Sequence, residues 1–85
     1  MAKYFRNRTA NEWRKVLDAK GFKWVNNSGD DEVWSKEGFY VFILVPSRNE
    51  TIPMGTSDSM ARKAVRCGLP KKEILQWWKE NGFGE

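Results

Sequence analysis

Apolar residues near the start of the chain recur at helical spacing. They lie three or four positions apart or side by side, at Trp13, Val16 and Leu17. Thr9 and Glu12 have the spacing of a capping box, in which a hydroxyl and a carboxylate satisfy the first free N–H groups of a helix. Gly21 is placed to end that helix. The pattern therefore predicts a first helix over about residues 10–20.

The next part of the chain has the composition and alternation of β-strands. Residues 22–27, FKWVNN, predict one strand, and residues 32–36, EVWSK, predict a second, linked to the first through residues 28–31. After a tight turn at 37–38, residues 39–46, FYVFILVP, are apolar at nearly every position. Such a strand is either covered on both faces, or covered on one face and paired with a partner on the other.

Two helical patterns close the chain. A second helix is predicted over about residues 57–67, after a loop rich in breaker and cap residues, with Gly68 to stop it. Pro70 fits the first position of a third helix, which runs to about residue 82. The order α-β-β-β-α-α predicts an α+β fold, a three-stranded antiparallel sheet with its helices packed on one face. Its core is expected to contain Trp13, Leu17, Val41, Ile43, Ala64 and Val65.

Length and composition indicate one domain over residues 1–85, in which residues 1–8 form a basic N-terminal extension. Five Trp, five Phe and two Tyr residues supply large side chains for its core. No apolar stretch has bilayer-spanning length and the N-terminus lacks a signal-peptide core, so we expect a cytoplasmic protein without a membrane partner. The single cysteine, Cys67, is interpreted as a small buried apolar residue.

Charge is concentrated on the second predicted helix. Fifteen Lys and Arg against eleven Asp and Glu give a net charge of +4, which favours polyanionic partners. The residues before and within this helix combine cations, hydroxyls and a helix N-terminus, which together suit phosphate groups. Asp58 would compete with such an anion, and the alternative is a solvated face without a ligand. The predicted nucleic-acid-binding residues are Arg62, Lys63, Arg66, Thr56, Ser57 and Ser59.

The third predicted helix carries a wide apolar arc. Trp77 and Trp78 point in directions about 100° apart, so one core is not expected to cover both. Either one of them packs under the N-terminal Tyr4–Phe5, or the pair forms an interface for a partner protein.

The absence of histidine limits the chemistry of the chain. Histidine-based acid/base catalysis and histidine metal ligation are excluded. The acidic run Asp30-Asp31-Glu32 could supply oxygen ligands to Mg²⁺, but alternate residues of a strand face opposite ways, so only the first and third would converge. We expect no metal and no cofactor.

The chain resembles a known family from about Thr9 to Trp78. A helix followed by GFKWV, an apolar strand ending in VP and the segment GTSDSMARKAVRCGLPKKEILQWW are similar to the HicA toxins, small RNA-cleaving proteins (mRNA interferases) of bacterial toxin–antitoxin modules. The resemblance implies a fold like the double-stranded-RNA-binding domain. It also implies RNA as a ligand, and a HicB-like antitoxin or another protein as a partner.

The resemblance fails at the catalytic position. HicA toxins carry Gly-Ser-His at the start of the second strand, and this frame places Gly29, Asp30 and Asp31 on those three residues, with Trp34 on a following aromatic residue. An aspartate with an ordinary pKa of about 4 is a poor general acid at neutral pH. The run of carboxylates would also repel a phosphate, so the resemblance implies a hairpin turn where the family keeps its active site.

Three hypotheses follow from these residues. The first is a HicA-like RNA-binding domain whose ribonuclease activity is lost or weakened. The second is an active mRNA interferase that uses Asp31 and a neighbouring lysine in place of histidine. The third is a non-catalytic protein-interaction module, such as an antitoxin decoy or a phage regulator. Whether the protein is an enzyme stays open at this point.

Overall fold

A computed structural model describes residues 7–83 of the chain. Its elements are β1 Arg8–Thr9, α1 Ala10–Ala19, β2 Phe22–Ser28, β3 Asp31–Lys36, β4 Phe42–Pro46, β5 Thr51–Ile52, α2 Met54–Arg66 and α3 Lys71–Glu80. The predicted order α-β-β-β-α-α and the α+β class are confirmed, and two short strands, β1 and β5, are added to it. No helix in this part of the chain is both long and apolar enough to cross a bilayer.

Strands β2, β3 and β4 form an antiparallel sheet with β3 in the centre. Trp34 of β3 lies opposite Trp24 of β2 and Ile43 of β4, and a bulge after Trp24 shifts the register of β2. Trp34, Ile43 and Val45 share one face and are buried, which makes this the face that packs against the helices.

The opposite face of the sheet, called the outer face below, is largely exposed. Directly opposed residues point to the same side of a sheet, so the register assigns Lys23, Asn26, Val33, Ser35, Phe42 and Leu44 to this face. Phe42 is 50% exposed and Leu44 is 42% exposed. The third predicted strand is therefore an edge strand covered on one face, and it begins at Phe42 rather than at Phe39.

The first helix begins at the predicted capping box. The Glu12 N–H donates to Thr9 Oγ1 at 3.3 Å, and the Thr9 N–H donates to Glu12 Oε1 at 2.7 Å. Thr9 also belongs to β1, which pairs with β5 and places Arg8 opposite Ile52. Because β1 immediately precedes α1 and β5 immediately precedes α2, this small second sheet holds the starts of the two helices together.

One hydrophobic core joins the three helices to the sheet. The wholly buried rings of Trp13 and Trp78 meet edge to face, with centroids 5.1 Å apart and an interplanar angle of 88°. The Trp78 indole N–H donates to the Glu12 carbonyl oxygen at 3.0 Å, and the Arg8 guanidinium lies 4.5 Å from the Trp78 ring centroid. These contacts make the closing helix an integral part of the domain.

Trp78 corrects the expected partner interface on the third helix. Trp78 is wholly buried where α3 packs against α1, so its side chain is not accessible to a partner protein. Trp77 is half-buried and stacks on Phe83, with ring centroids 5.8 Å apart. One core does cover Trp78 completely and Trp77 in part, because α3 packs against α1 as well as α2. The expected cover by residues 4–5 lies outside the described residues.

The predicted N-terminal extension also changes. Arg8, assigned to it, is buried in β1, where its guanidinium donates to the Phe83 carbonyl oxygen at 2.9 Å and pairs with Glu12 at 3.2 Å. The domain therefore includes Arg8, whereas residues 1–6 of the expected extension lie outside the described part of the chain.

The second helix begins earlier than predicted. Its first residue is Met54, with Pro53 as the N-cap, so the segment expected to be a loop forms the first turn instead. The helix ends at Arg66, shortly before Gly68, whose φ of +83° suits the position after a helix. Val65 was expected in the core but is 52% exposed, because it lies about 100° around the helix from the buried Ala64.

Two further predictions concern smaller features of the core. Cys67 is wholly buried and makes no disulfide, as expected. Its burial raises the pKa of the thiol, more than the nearby cations Lys36 and Arg66 lower it. Val41, expected in the core, is only partly buried and packs against its edge.

Candidate nucleic-acid interface

The acidic run begins in a hairpin turn, as predicted, but the turn has two residues, whereas the predicted link covered residues 28–31. Ser28 pairs with Asp31, so Gly29 and Asp30 form the turn between β2 and β3. The φ of Gly29 is +62°, the sign that a type II′ turn requires at its first central residue. The Ser47 N–H donates to the Asp30 carbonyl oxygen at 2.9 Å, which ties the turn to the chain just after β4.

The three carboxylates of this run have different surroundings. Glu32 is held in place, because its Oε1 accepts hydrogen bonds from Arg14 Nε at 2.9 Å and from Trp34 Nε1 at 3.0 Å. Asp31, the preceding residue of the strand, points to the opposite face, and Asp30 is exposed in the turn. Among residues 7–83, no three His, Cys, Asp or Glu side chains are placed to hold a metal ion.

Asp31 lines an open pocket of about 250 Å³ at the β4 edge of the sheet, where the outer face meets the second helix. On the sheet side the lining residues are Asp31, Leu44 and Pro46, and on the α2 side they are Thr56, Ser59, Met60 and Lys63. Four residues singled out in the sequence, one on β3 and three on α2, therefore meet in one place. We call this cavity the β4–α2 pocket.

The two charged residues of the β4–α2 pocket are both available to a ligand. Asp31 and Lys63 are partly buried, and within the described range neither side chain takes part in a hydrogen bond or an ion pair. The ionised carboxylate accepts hydrogen bonds only, and the ammonium donates only. Leu44, Pro46 and Met60 add apolar surface beside them. The pocket can therefore bind a ligand that has donors, acceptors and an apolar face.

The other predicted cations, Arg62 and Arg66, lie on α2 outside the pocket lining. The guanidinium of Arg62 is highly exposed and pairs with Asp58 at 3.0 Å. Asp58 also lies 3.7 Å from the Lys71 ammonium, so it is shared between two cations. Arg66 is exposed one turn further along the helix. Asp58 was expected to compete with a bound anion for the cations of α2. Its pairing with Arg62 and Lys71 balances its charge and reduces its repulsion of an anion, although exposed ion pairs of this kind are weak.

Ser57 is a correction to the predicted nucleic-acid-binding set. Its side chain is wholly buried, and its Oγ accepts a hydrogen bond from Trp13 Nε1 at 3.0 Å. The reason is the earlier start of α2, which turns position 57 toward the core instead of placing it at an open N-terminus. Thr56 and Ser59, its neighbours on the helix, are exposed and line the pocket.

Arg14 is a residue of this region that the sequence analysis missed. Besides binding Glu32, its terminal Nη2 donates to the carbonyl oxygens of Pro46 at 2.6 Å and Ser47 at 2.7 Å, and its Nη1 donates to Asn11. Helix α1 thereby fastens the first residues of β3 to the end of β4, beside the pocket. No sequence motif marks such a role, because Glu32, Pro46 and Ser47 are distant from Arg14 in the chain.

No protein-family model matches the chain, and no curated protein or solved structure matches it. The resemblance to the HicA toxins therefore rests on the residues quoted above. The structure itself shows an α+β fold with a three-stranded antiparallel sheet and three helices, together with the short β1–β5 pair.

Proposed function

We propose that the protein is a HicA-like RNA-binding domain whose ribonuclease activity is lost or weakened. The observation that supports this most directly is the composition of the β4–α2 pocket. Asp31, at the position matching the family's catalytic histidine, lines the same pocket as Thr56, Ser59 and Lys63 of the basic helix. The segment that departs from the family's catalytic frame and the basic helix that resembles the family thus contribute to one surface.

The charge on α2 supports binding to an RNA backbone. Lys63 lines the pocket, and Arg62 and Arg66 are exposed on the same helix. Cations placed along a phosphate backbone gain free energy by releasing its counterions, and hydroxyl groups such as those of Thr56 and Ser59 position the strand. This combination favours RNA over an uncharged ligand.

The chemistry of the pocket supports a loss of cleavage. A general acid/base must both take up and give back a proton, and an imidazole does so near neutral pH. A carboxylate has no proton to donate, so it can act as a base but does not supply the general acid. Lys63 is the neighbouring lysine that an active enzyme would have to pair with Asp31, so cleavage by the unmodified protein is the direct test of that alternative.

The experiment measures binding and cleavage of structured and single-stranded RNA by the purified protein, with and without Mg²⁺. We expect binding that weakens steeply as salt rises, and cleavage at background. The variant Lys63→Glu/Arg66→Glu should abolish binding. The matched control Lys15→Glu/Lys79→Glu makes the same change of charge at exposed positions of α1 and α3, and should retain it.

Salt dependence makes this test quantitative. If Arg62 and Arg66 each contact one phosphate of a single strand, changing both to Gln should reduce the magnitude of the slope of log K against log salt by about 1.4. An RNA affinity that does not change with salt concentration would contradict phosphate binding by this helix. An equal loss of affinity in the control Lys15→Glu/Lys79→Glu would contradict it as well. Robust cleavage of RNA by the unmodified protein would show that it is an active ribonuclease and contradict the proposed loss of activity.

A second candidate, a protein-interaction module, is favoured by the exposed outer face. Phe42 and Leu44 are half-exposed there. Such apolar surface is typical of protein contacts. The candidate partner is a HicB-like antitoxin, and Phe42→Lys should abolish its binding in calorimetry without lowering stability. A variant that binds the antitoxin unchanged would exclude this face.

A further inference from the structure

The β4–α2 pocket has the size and lining of a site for one flat ring system. Its volume of about 250 Å³ lies below the roughly 300–1,000 Å³ typical of pockets for drug-sized ligands. Leu44, Pro46 and Met60 provide apolar contact for the face of a ring, while Asp31 and Lys63 provide polar groups at its edge. Single-stranded RNA offers such a ligand, because its unpaired bases can be splayed out and read on their Watson–Crick edges.

We infer that the β4–α2 pocket binds an unpaired guanine of the RNA, with its N1–H and N2–H groups donating to the Asp31 carboxylate. This inference rests on the proposed function and names the base read at that site. Lys63 supplies the donor for guanine O6, the acceptor next to N1. Thr56 and Ser59, exposed at the same pocket, are available to the adjoining ribose or phosphate.

Guanine is the base whose edge matches this pair of charges. An ionised carboxylate has two oxygens and only accepts, so it needs two donors side by side. Guanine presents N1–H and N2–H together, whereas adenine and cytosine each present one amino group beside an acceptor nitrogen. Uracil presents a single N3–H between two carbonyl groups. The three other bases would therefore bring at least one acceptor against Asp31.

The same chemistry accounts for a carboxylate at the position of the family's histidine. There, a negative charge opposes a phosphate but attracts the donor edge of a base. Neither Asp31 nor Lys63 is engaged by another residue within 7–83, so binding a base breaks no existing ion pair. With Asp31 in place of the family's histidine, the pocket would bind a base of the RNA without cleaving the strand.

The test uses short single-stranded RNAs that differ only in a central nucleotide, which is guanosine, inosine, adenosine, cytidine or uridine within a uridine tract. Affinities are measured by fluorescence anisotropy at one fixed salt concentration. We expect guanosine to bind roughly tenfold or more tighter than the other standard bases, in the range of a good bidentate base contact. Inosine lacks the N2 amino group and should lose a large part of that preference.

Two isosteric variants test whether the preference for guanosine depends on Asp31. Asp31→Asn keeps the shape of the side chain but replaces one acceptor oxygen with a donor, so it should remove the preference for guanosine. Asp30→Asn makes the same charge change one residue away, in the exposed turn and outside the pocket lining, so it should keep the preference. Thermal unfolding of both variants shows whether they are folded.

The outcomes separate this inference from the proposed function. RNA binding with equal affinity for all central bases, or a guanosine preference that survives Asp31→Asn, overturns the guanine site and leaves the RNA-binding function standing. Binding of GMP that Asp31→Asn abolishes, without any RNA binding, supports the guanine site and overturns the RNA-binding function. Absence of both RNA and GMP binding overturns both.

Discussion

The indole N–H of Trp13 donates a hydrogen bond to the hydroxyl oxygen of Ser57 at 3.0 Å, and both side chains are wholly buried. The bond joins the first helix to the first turn of the second. A serine whose sequence context suggested phosphate contact is therefore a hydrogen-bond acceptor in the core. Its contribution should appear in stability and not in ligand binding.

Ser57→Ala removes this acceptor from a buried indole N–H, and should lower the free energy of unfolding by about 1–3 kcal/mol. Ser59→Ala deletes the same hydroxyl at an exposed position of the same helix, and should change that free energy by less than about 0.5 kcal/mol. Urea denaturation followed by Trp fluorescence measures both. Equal effects of the two variants would contradict a structural role for Ser57.

The adjacent tryptophans of α3 should differ in the same experiment. Trp78→Ala removes a wholly buried ring that packs against Trp13, and should cost about 3–5 kcal/mol, a large share of a small domain's stability. Trp77→Ala removes a half-buried ring that stacks on Phe83, and should cost clearly less. Similar losses for the two variants would show that α3 packs differently from this description.

The features that sequence analysis predicted correctly have local causes. The capping box needs only Thr9 and Glu12, three positions apart, and both of its hydrogen bonds are present. The hairpin follows from two strand patterns joined by a short polar link, although the turn itself has only two residues, Gly29 and Asp30. In both cases the residues that determine the structure lie within a few positions of each other, so their spacing alone carries the information.

The features that were missed depend on distant contacts. Helix α2 begins at Met54 because Thr51–Ile52 pairs with β1 and fixes the chain just before it, and that pairing joins residues about forty positions apart. Ser57 and Trp78 take their roles from contacts with α1. Asp31 and Lys63 line one pocket because α2 packs beside β4. The sequence analysis identifies each of them as a candidate site residue, but the packing that brings them together is not visible in the sequence.

Cys67 should lower the free energy of unfolding at alkaline pH. Burial raises the pKa of its thiol in the folded protein above the ordinary value of 9.0. The unfolded chain then loses this proton at lower pH than the folded chain, so stability declines as pH rises above about 9. Comparing urea denaturation of the wild type and Cys67→Ala isolates this effect from other titrating groups. Parallel profiles from pH 8 to pH 11 would contradict it.

The last prediction concerns the position that matches the family's histidine. Asp30→Ser/Asp31→His restores the Gly-Ser-His frame and removes two negative charges from the approach of a phosphate. The fold should tolerate the change, because Asp30 is exposed, Asp31 has no side-chain partner within residues 7–83, and the hydrogen bond from Ser47 uses the backbone carbonyl of position 30. The introduced imidazole would lie in the pocket beside Lys63.

If the rest of the RNA surface is intact, the double variant should cut RNA above background, fastest near the ordinary histidine pKa of about 6.5. General acid/base groups contribute roughly a hundredfold to ten-thousandfold when well placed, so an imidazole placed in reach of the reacting group should give a measurable gain. Asp30→Ser/Asp31→Ala removes the same charges without an imidazole, and should leave cleavage at background. Cleavage by both variants would assign the gain to charge alone. Robust cleavage by the unmodified protein, lost in Asp31→Asn, would make the carboxylate itself catalytic and the protein an enzyme.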